Sequence, residues 1–146
     1  MSWEVLISLA LKILSVFIWF NIMINHQEIG RLGEEVAGRY LKSKGYKILD
    51  RNFEKQVGSL KFGEIDIIAQ KDETIIFCEV KALSSEKGFS PEQRVDFKKQ
   101  DTIAKTAEIW LDERGPSEDR KWQIDILAIV LNLETRKAKI RHFKNV

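Results

Sequence analysis

Two apolar stretches separated by a short polar turn lie between Gly63 and Lys81, and they constrain the fold of this chain more than any other segment. Both stretches are rich in isoleucine, and the turn between them reads Lys-Asp-Glu-Thr, which is typical of a β-hairpin. Side chains alternate between the two faces of a strand. We therefore predict that Glu64, Asp66 and Ile68 share one face of the first strand. The other face of that strand then holds Ile65, Ile67 and Ala69.

A turn centred on Asp72 and Glu73 determines which side chains of the two strands meet. Symmetric pairing about this turn predicts that Asp66 lies directly opposite Glu79, with Lys81 diagonal to Asp66. Directly opposed side chains have Cβ atoms about 4.5–5.5 Å apart. Two carboxylates at that distance repel each other unless a cation lies between them. A divalent ion bound by oxygen ligands meets this need.

The order of these residues resembles the active-site hairpin of the PD-(D/E)xK nuclease superfamily, in which an Asp on one strand is followed by Glu-x-Lys on the next. Further short motifs resemble the bacterial YraN family from about Ile29 to the C-terminus. That family is similar in fold to archaeal Holliday-junction resolvases, and its biochemical role is unassigned. The motifs are Gly33-Glu34, Gly45-Tyr46, Arg51-Asn52, Gly63-Glu64-Ile65-Asp66, Phe77-Cys78-Glu79-Val80-Lys81, Lys99-Gln100 and Asp125.

The resemblance implies a metal-dependent active site on the hairpin. Asp66, Glu79 and the backbone carbonyl of Val80 are the implied ligands of Mg²⁺ or Mn²⁺. Lys81 is the implied cation that positions the attacking water or stabilises the developing charge. Glu34 borders the apolar stripe of the preceding helix, from which it can reach the metal or a bound water. A solvated glutamate at the edge of the core is equally consistent with that position.

Basic residues beyond the hairpin are candidate contacts to nucleic acid. Arg94, Lys98 and Lys99 lie on a helix that we predict from Pro91 to about Glu113, although a run of lysines is more often a solvated face. The net charge of +2 is too small to indicate a nucleic-acid-binding protein by itself. Any basic surface must therefore be local.

Two positions depart from the family pattern. Family members commonly carry an arginine two positions after the motif lysine and another two before the late aspartate, where this chain has Leu83 and Gln123. Both changes remove candidate phosphate contacts, which supply most of the affinity for nucleic acid. Neither change affects the predicted metal ligands.

Two interpretations of the acidic cluster remain open. The first is a metal-dependent nuclease that hydrolyses phosphodiester bonds in structured or branched DNA, acting as a homodimer. The second is a non-catalytic nucleic-acid-binding or membrane-tethered module that keeps the fold. The structural interpretation of the cluster itself is a set of ion pairs, from Asp66 and Glu64 to Lys81, without a metal. Three acids around one lysine exceed what a structural ion pair needs, which favours the metal site.

The remaining patterns predict a single α/β domain over residues 28–146, with a restriction-endonuclease-like core in which helices flank a central mixed sheet. A single cysteine, Cys78, excludes an internal disulfide and is interpreted as a core residue. The two histidines are too far apart in sequence to indicate a zinc site. The predicted elements are a helix over 28–44, a strand over 46–53, a polar loop over 54–62, a strand over 122–133 and an edge strand over 137–143.

Residues 1–27 contain a separate apolar segment, which we predict to be helical. Its core, residues 5–24, is long enough to span a bilayer, although Lys12 falls near the centre. Three interpretations stand: a membrane anchor, a helix that packs on another subunit, and an extension not made in the cell, with translation starting at Met23. Basic residues follow the segment, so we predict a cytoplasmic domain, anchored to the inner face of the membrane if the helix spans it.

Overall fold

A computed structural model of the protein describes residues 26–84, 96–115 and 119–146. In this part of the chain one helix packs on each face of a five-stranded sheet. The strands lie in chain order, and β3 and β4 are parallel while the other neighbouring pairs are antiparallel. The predicted mixed sheet, with the hairpin in its middle, is confirmed. The elements are α1 (His26–Ser43), β1 (Lys47–Val57), β2 (Leu60–Lys71), β3 (Thr74–Leu83), α2 (Phe97–Asp112), β4 (Lys121–Asn132) and β5 (Lys137–Phe143).

Helix α1 buries one apolar stripe against the sheet, with Ile29 and Leu41 among its buried residues. The helix approaches β3 closely at Gly33, where an added Cβ would lie 2.3 Å from the Cβ of Ala82. Only glycine allows the helix to lie this close to the strand. The contact fixes the height of the neighbouring Glu34 above the sheet.

Helix α2 covers the opposite face and joins the parallel strands β3 and β4, which need a long crossover connection. It begins later than predicted. Asp96 has an extended backbone, with φ −64° and ψ 163°, and its carboxylate accepts the N–H of Lys99 at 2.8 Å, as an N-cap does. The predicted start at Pro91 lies outside the described residues.

The predicted polar loop over 54–62 is wrong. Strand β1 continues to Val57 and β2 begins at Leu60, so the chain forms a long hairpin with a tight turn in which Gly58 has φ +63°. The hairpin tip extends past the paired part of β3 and is therefore exposed on both sides. Its polar composition reflects that exposure, which the sequence pattern cannot distinguish from a loop.

The predicted N-terminal apolar helix, within residues 1–25, lies outside the described residues. Among the helices of the described ranges, none has the length and hydropathy needed to cross a membrane. Cys78 is buried in the cluster beneath α1, as predicted for a core residue, and burial raises the pKa of its thiol.

Candidate metal centre on the central hairpin

The two strands of the central hairpin have the register predicted from a symmetric turn, but their pairing ends at Ile67 and Cys78. The next two residues along the strands are Asp66 and Glu79. Beyond this point β2 stays paired with β1, and β3 stays paired with β4. The two acids therefore lie where the sheet opens between its central strands.

Asp66 does not follow the predicted alternation of faces. Ile65 packs with Ile68 in the cluster beneath α2, whereas Ile67 lies in the cluster beneath α1. The faces of β2 thus switch at Asp66, and the prediction that Ile65 and Ile67 share a face is wrong. The neighbouring strand is irregular at the same level, because Asn52 has a left-handed backbone with φ 49°.

The switch leaves the Asp66 carboxylate between the strands. Its Oδ2 accepts the backbone N–H of Val80 at 2.7 Å, in place of a carbonyl from the ladder. Burial raises the pKa of Asp66 to about 7, and the charges of Glu79, Glu34 and Glu64 act in the same direction. The hydrogen bond from Val80 opposes this shift without cancelling it.

Glu79 lies on the face covered by α2 and is only 9% exposed. Its Oε2 is buried and accepts no hydrogen bond from the described residues. The Nζ of Lys99 lies 3.4 Å from this oxygen, which is ion-pair distance without the directed geometry of a hydrogen bond. Burial raises the pKa of Glu79, and the charges of Lys99 and Lys81 only partly offset that effect.

Lys81 is exposed, on the same face of β3 as Glu79. The ion pairs of the structural interpretation, from Lys81 to Asp66 and to Glu64, are absent from the described part of the chain. Glu64 pairs instead with Lys61 at 2.5 Å. The acidic cluster is thus not neutralised by the lysine that the sequence assigns to it.

Glu34 is half-buried on α1, and its charge contributes to the raised pKa of Asp66. Of the predicted nucleic-acid contacts, Lys98 is exposed near the start of α2, Lys99 lies beside Glu79, and Arg94 is outside the described residues. The predicted ligands Asp66, Glu79 and Val80 are neighbours at the opening of the sheet, and Glu34 approaches them from α1.

Within the described ranges no group of three or more His, Cys, Asp or Glu side chains has the arrangement of a metal site. The donors at the hairpin are two carboxylates, Asp66 and Glu79, and the carbonyl of Val80. This set fits Mg²⁺ or Mn²⁺, because Mg²⁺ usually keeps several waters and takes one or two carboxylates. The oxygen of Glu79 that lacks a donor is the observation in favour of that fit.

Sequence reasoning missed a second buried acid network. Asp125 is fully buried, and its Oδ2 lies 2.7 Å from Nε2 of His142. It also accepts from Nε2 of Gln123 at 2.7 Å and from the backbone N–H of Asn145 at 2.9 Å. Burial raises the pKa of Asp125, but these hydrogen bonds outweigh it and hold the pKa below its usual value. The pairing depends on the β4–β5 register, which pairs Leu127 with His142 and which no pattern within β4 reports.

Comparisons with known proteins give one consistent result. The profile of the uncharacterised protein family UPF0102 matches residues 33–129. A UPF0102 protein of Alkaliphilus oremlandii is 40% identical over 120 residues, which is 82% of this chain and 97% of the relative. A UPF0102 protein of Syntrophomonas wolfei is 38% identical over the same shares of the two chains. One of Caldanaerobacter subterraneus is 38% identical over 84% of this chain and 96% of its own.

Proposed function

We propose that this chain, which belongs to the UPF0102 protein family, is a metal-dependent nuclease with a restriction-endonuclease-like core that hydrolyses phosphodiester bonds in structured or branched DNA. The observation that carries the proposal is the buried Oε2 of Glu79, which has no hydrogen-bond donor among the described residues. It lies beside Asp66, whose pKa is raised to about 7. Two such acids need more positive charge than Lys99 supplies, and a divalent ion would provide it.

The residues of the hairpin have distinct roles in this proposal. Asp66, Glu79 and the carbonyl of Val80 would hold Mg²⁺ or Mn²⁺. When bound, such an ion polarises the phosphate and lowers the pKa of the attacking water. Lys81 provides a fixed positive charge where negative charge develops on the phosphate. Glu34 accepts a hydrogen bond from a water at the site, which keeps that water oriented.

The alternative is a non-catalytic nucleic-acid-binding or membrane-tethered module of the same fold, and two observations favour it. Lys99 already offsets part of the charge of Glu79 without any metal. Gln123, where the family pattern has an arginine, donates its amide to Asp125 and so supplies no cation for phosphate. A homodimer, cytoplasmic location and membrane association through residues 5–24 remain predictions under either function.

The test is a cleavage screen over duplex, flap and four-way-junction DNA with Mg²⁺ or Mn²⁺, using wild type, Lys81→Ala and Glu79→Ala. Lys81→Ala should lower the rate by about 10²–10³ and leave Mn²⁺ binding intact, since an ammonium cannot ligate the ion. Glu79→Ala should lose both. Matched controls are Lys42→Ala on α1 and Glu108→Ala on α2, both exposed and away from the hairpin, and both should cleave like wild type.

Two results would overturn the proposal. Cleavage that persists undiminished in Lys81→Ala and Glu79→Ala belongs to a contaminating nuclease. Wild-type protein whose melting temperature does not rise in millimolar Mn²⁺ has no such metal centre, because a bound ligand must stabilise the folded state. DNA binding without cleavage would then favour the non-catalytic module.

A further inference from the structure

We propose that the outward face of β5 is a phosphate-binding surface that guides a nucleic-acid strand to Lys81. The surface consists of Lys137, Lys139 and Arg141, and we call it the β5 basic face. The inference rests on the proposed function, because it takes the hairpin as the place where the strand is cut. It adds the path by which the substrate reaches that place.

The C-terminal part of the chain carries a local excess of positive charge. Residues 126–146 contain five Lys or Arg and a single acid, Glu134, in a chain whose total net charge is +2. The three residues of the β5 basic face are all exposed. They alternate along one strand, so they point to the same side and lie about 6.8 Å apart in sequence order. A surface of one sign with this spacing suits a polyanion.

Strand register connects the β5 basic face to the hairpin. Lys81 is paired with Ala128, and Ala128 with Arg141. In the same way Leu83 is paired with Val130, and Val130 with Lys139. Directly paired residues share a face of the sheet, and neighbouring strands are about 4.8 Å apart. Lys81 and Arg141 thus lie two strands apart on one face, roughly 10 Å from each other.

An open cleft of about 570 Å³ lies beside this face. Its lining is largely apolar, with Val130, Leu131 and Ala138, and its polar groups come from Lys137, Lys139, Asn132, Thr135 and Ser84, which follows β3. Amide, hydroxyl and ammonium groups are the side chains that commonly bind phosphate oxygens. The cleft therefore continues the basic face toward the strand that carries Lys81.

Basic residues on an edge strand also have a simpler explanation, since charge on an edge blocks pairing with other chains. Blocking edge-to-edge pairing does not require that all of these charges have the same sign. The other edge strand, β1, carries charges of both signs, among them Glu54, which pairs with Lys61 at 3.2 Å, and Lys55, which pairs with Glu113. The β5 edge has three positive charges and no acid over the same stretch. This difference favours a polyanionic partner.

The test is the salt dependence of DNA binding, measured in EDTA so that cleavage plays no part. The variant Lys137→Gln/Lys139→Gln/Arg141→Gln should bind duplex or junction DNA more weakly. Its plot of log K against log salt should be shallower by about 2–3, since each phosphate contact contributes about 0.9 to the slope. The matched control, Arg31→Gln/Arg39→Gln/Lys42→Gln on α1, removes the same charge from the opposite face of the sheet and should keep the wild-type slope.

An unchanged slope in the β5 variant would overturn the inference, and so would an equal loss in the α1 control. Anionic lipid vesicles that bind through these residues while DNA does not would overturn it in favour of a membrane surface. The result is separable from the nuclease proposal. Wild-type cleavage with an unchanged slope rejects only the surface, whereas a reduced slope without wild-type cleavage rejects only the nuclease.

Discussion

The described part of the protein buries acids on both sides of its central sheet, and the two groups differ in how many hydrogen bonds their carboxylates accept. On the α1 side, Asp125 accepts hydrogen bonds from three groups and its pKa is held below the usual value. At the opening of the sheet, Asp66 accepts one hydrogen bond and the buried oxygen of Glu79 accepts none. Burial alone therefore does not mark a functional acid. A buried acid with too little positive charge or too few donors around it is a candidate for a functional group.

The hydrogen-bond network of Asp125 holds the C-terminal segment against the sheet. His142 comes from β5 and is itself only 5% exposed, and Asn145 follows that strand, so both tie the C-terminus to β4. The hydroxyl of Tyr40 on α1 lies 3.4 Å from Nδ1 of His142, which extends the network to the helix. A fully satisfied buried network of this kind rigidifies the core without performing chemistry.

The largest expected effect on stability concerns Asp125, the buried acid whose carboxylate accepts three hydrogen bonds. Asp125→Ala leaves His142 and Gln123 without their buried partner and should cost on the order of 3 kcal/mol in the free energy of unfolding. Urea unfolding measures this. Asp101→Ala, which removes an exposed acid on α2 that pairs with Lys105, is the control and should change stability by less than about 0.5 kcal/mol. A small effect of Asp125→Ala would remove the distinction between the two acid groups.

The second prediction is a gain in stability, where the first was a loss. Asp66→Asn should raise the unfolding free energy at pH 8 by on the order of 1 kcal/mol, because it removes a charge that burial and Glu79 disfavour. The same variant should lose the stabilisation that wild type gains from Mn²⁺, because a ligand is lost. Melts with and without the ion test both halves. A metal-free loss of stability would mean that Asp66 is a satisfied structural acid after all.

The stability difference between Asp66→Asn and wild type should depend on pH, because the pKa of Asp66 is raised. An acid with a folded pKa of about 7 and an unfolded value near 3.9 keeps its proton in the folded state while the unfolded chain loses it. The ionised carboxylate destabilises the folded state. This loss of stability is absent below the unfolded pKa, grows as the pH rises from the unfolded to the folded pKa, and is complete above about pH 7. The advantage of Asp66→Asn should thus shrink as the pH falls from 8 to 5. Asp125, whose pKa is lowered, stabilises the fold above its unfolded value and loses that contribution in acid.

The smallest expected effect concerns Lys99, whose ammonium is partly exposed beside Glu79. Lys99→Met should lower the unfolding free energy by a few tenths of a kcal/mol in EDTA, as expected for a solvent-screened pair. The loss should be smaller in saturating Mn²⁺, since the ion supplies the same charge. Lys98→Met, at the exposed neighbour, is the control. An equal loss with and without Mn²⁺ would mean that lysine and metal do not serve the same oxygen.

The sequence was sufficient to predict the features that depend on local pattern. The hairpin register followed from its turn, the apolar stripe of the first helix followed from periodicity, and Cys78 was correctly interpreted as a core residue. The edge position of β5 followed from its amphipathic pattern. Each of these depends on one element and its nearest neighbour in the chain.

The features that could not be predicted depend on contacts between distant segments. The switch of faces at Asp66 accompanies the left-handed conformation of Asn52 in β1, and no pattern within β2 reports it. The pairing of Asp125 with His142 requires knowledge of the β4–β5 register. Helix packing brings Lys99 beside Glu79, which its position in a basic run does not indicate. Only the assembled sheet determines these three positions.

The hydrogen bond from Val80 to Asp66 gives the backbone of β3 an unusual property. An amide proton in a sheet normally faces a carbonyl, whose charge is fixed, whereas this one faces a carboxylate that gains and loses a proton. The peptide group between Glu79 and Val80 therefore senses the ionisation of Asp66 directly. Its ¹⁵N resonance is a built-in spectroscopic reporter, located between Glu79 and Lys81, the two side chains to which we assign roles in the proposed chemistry.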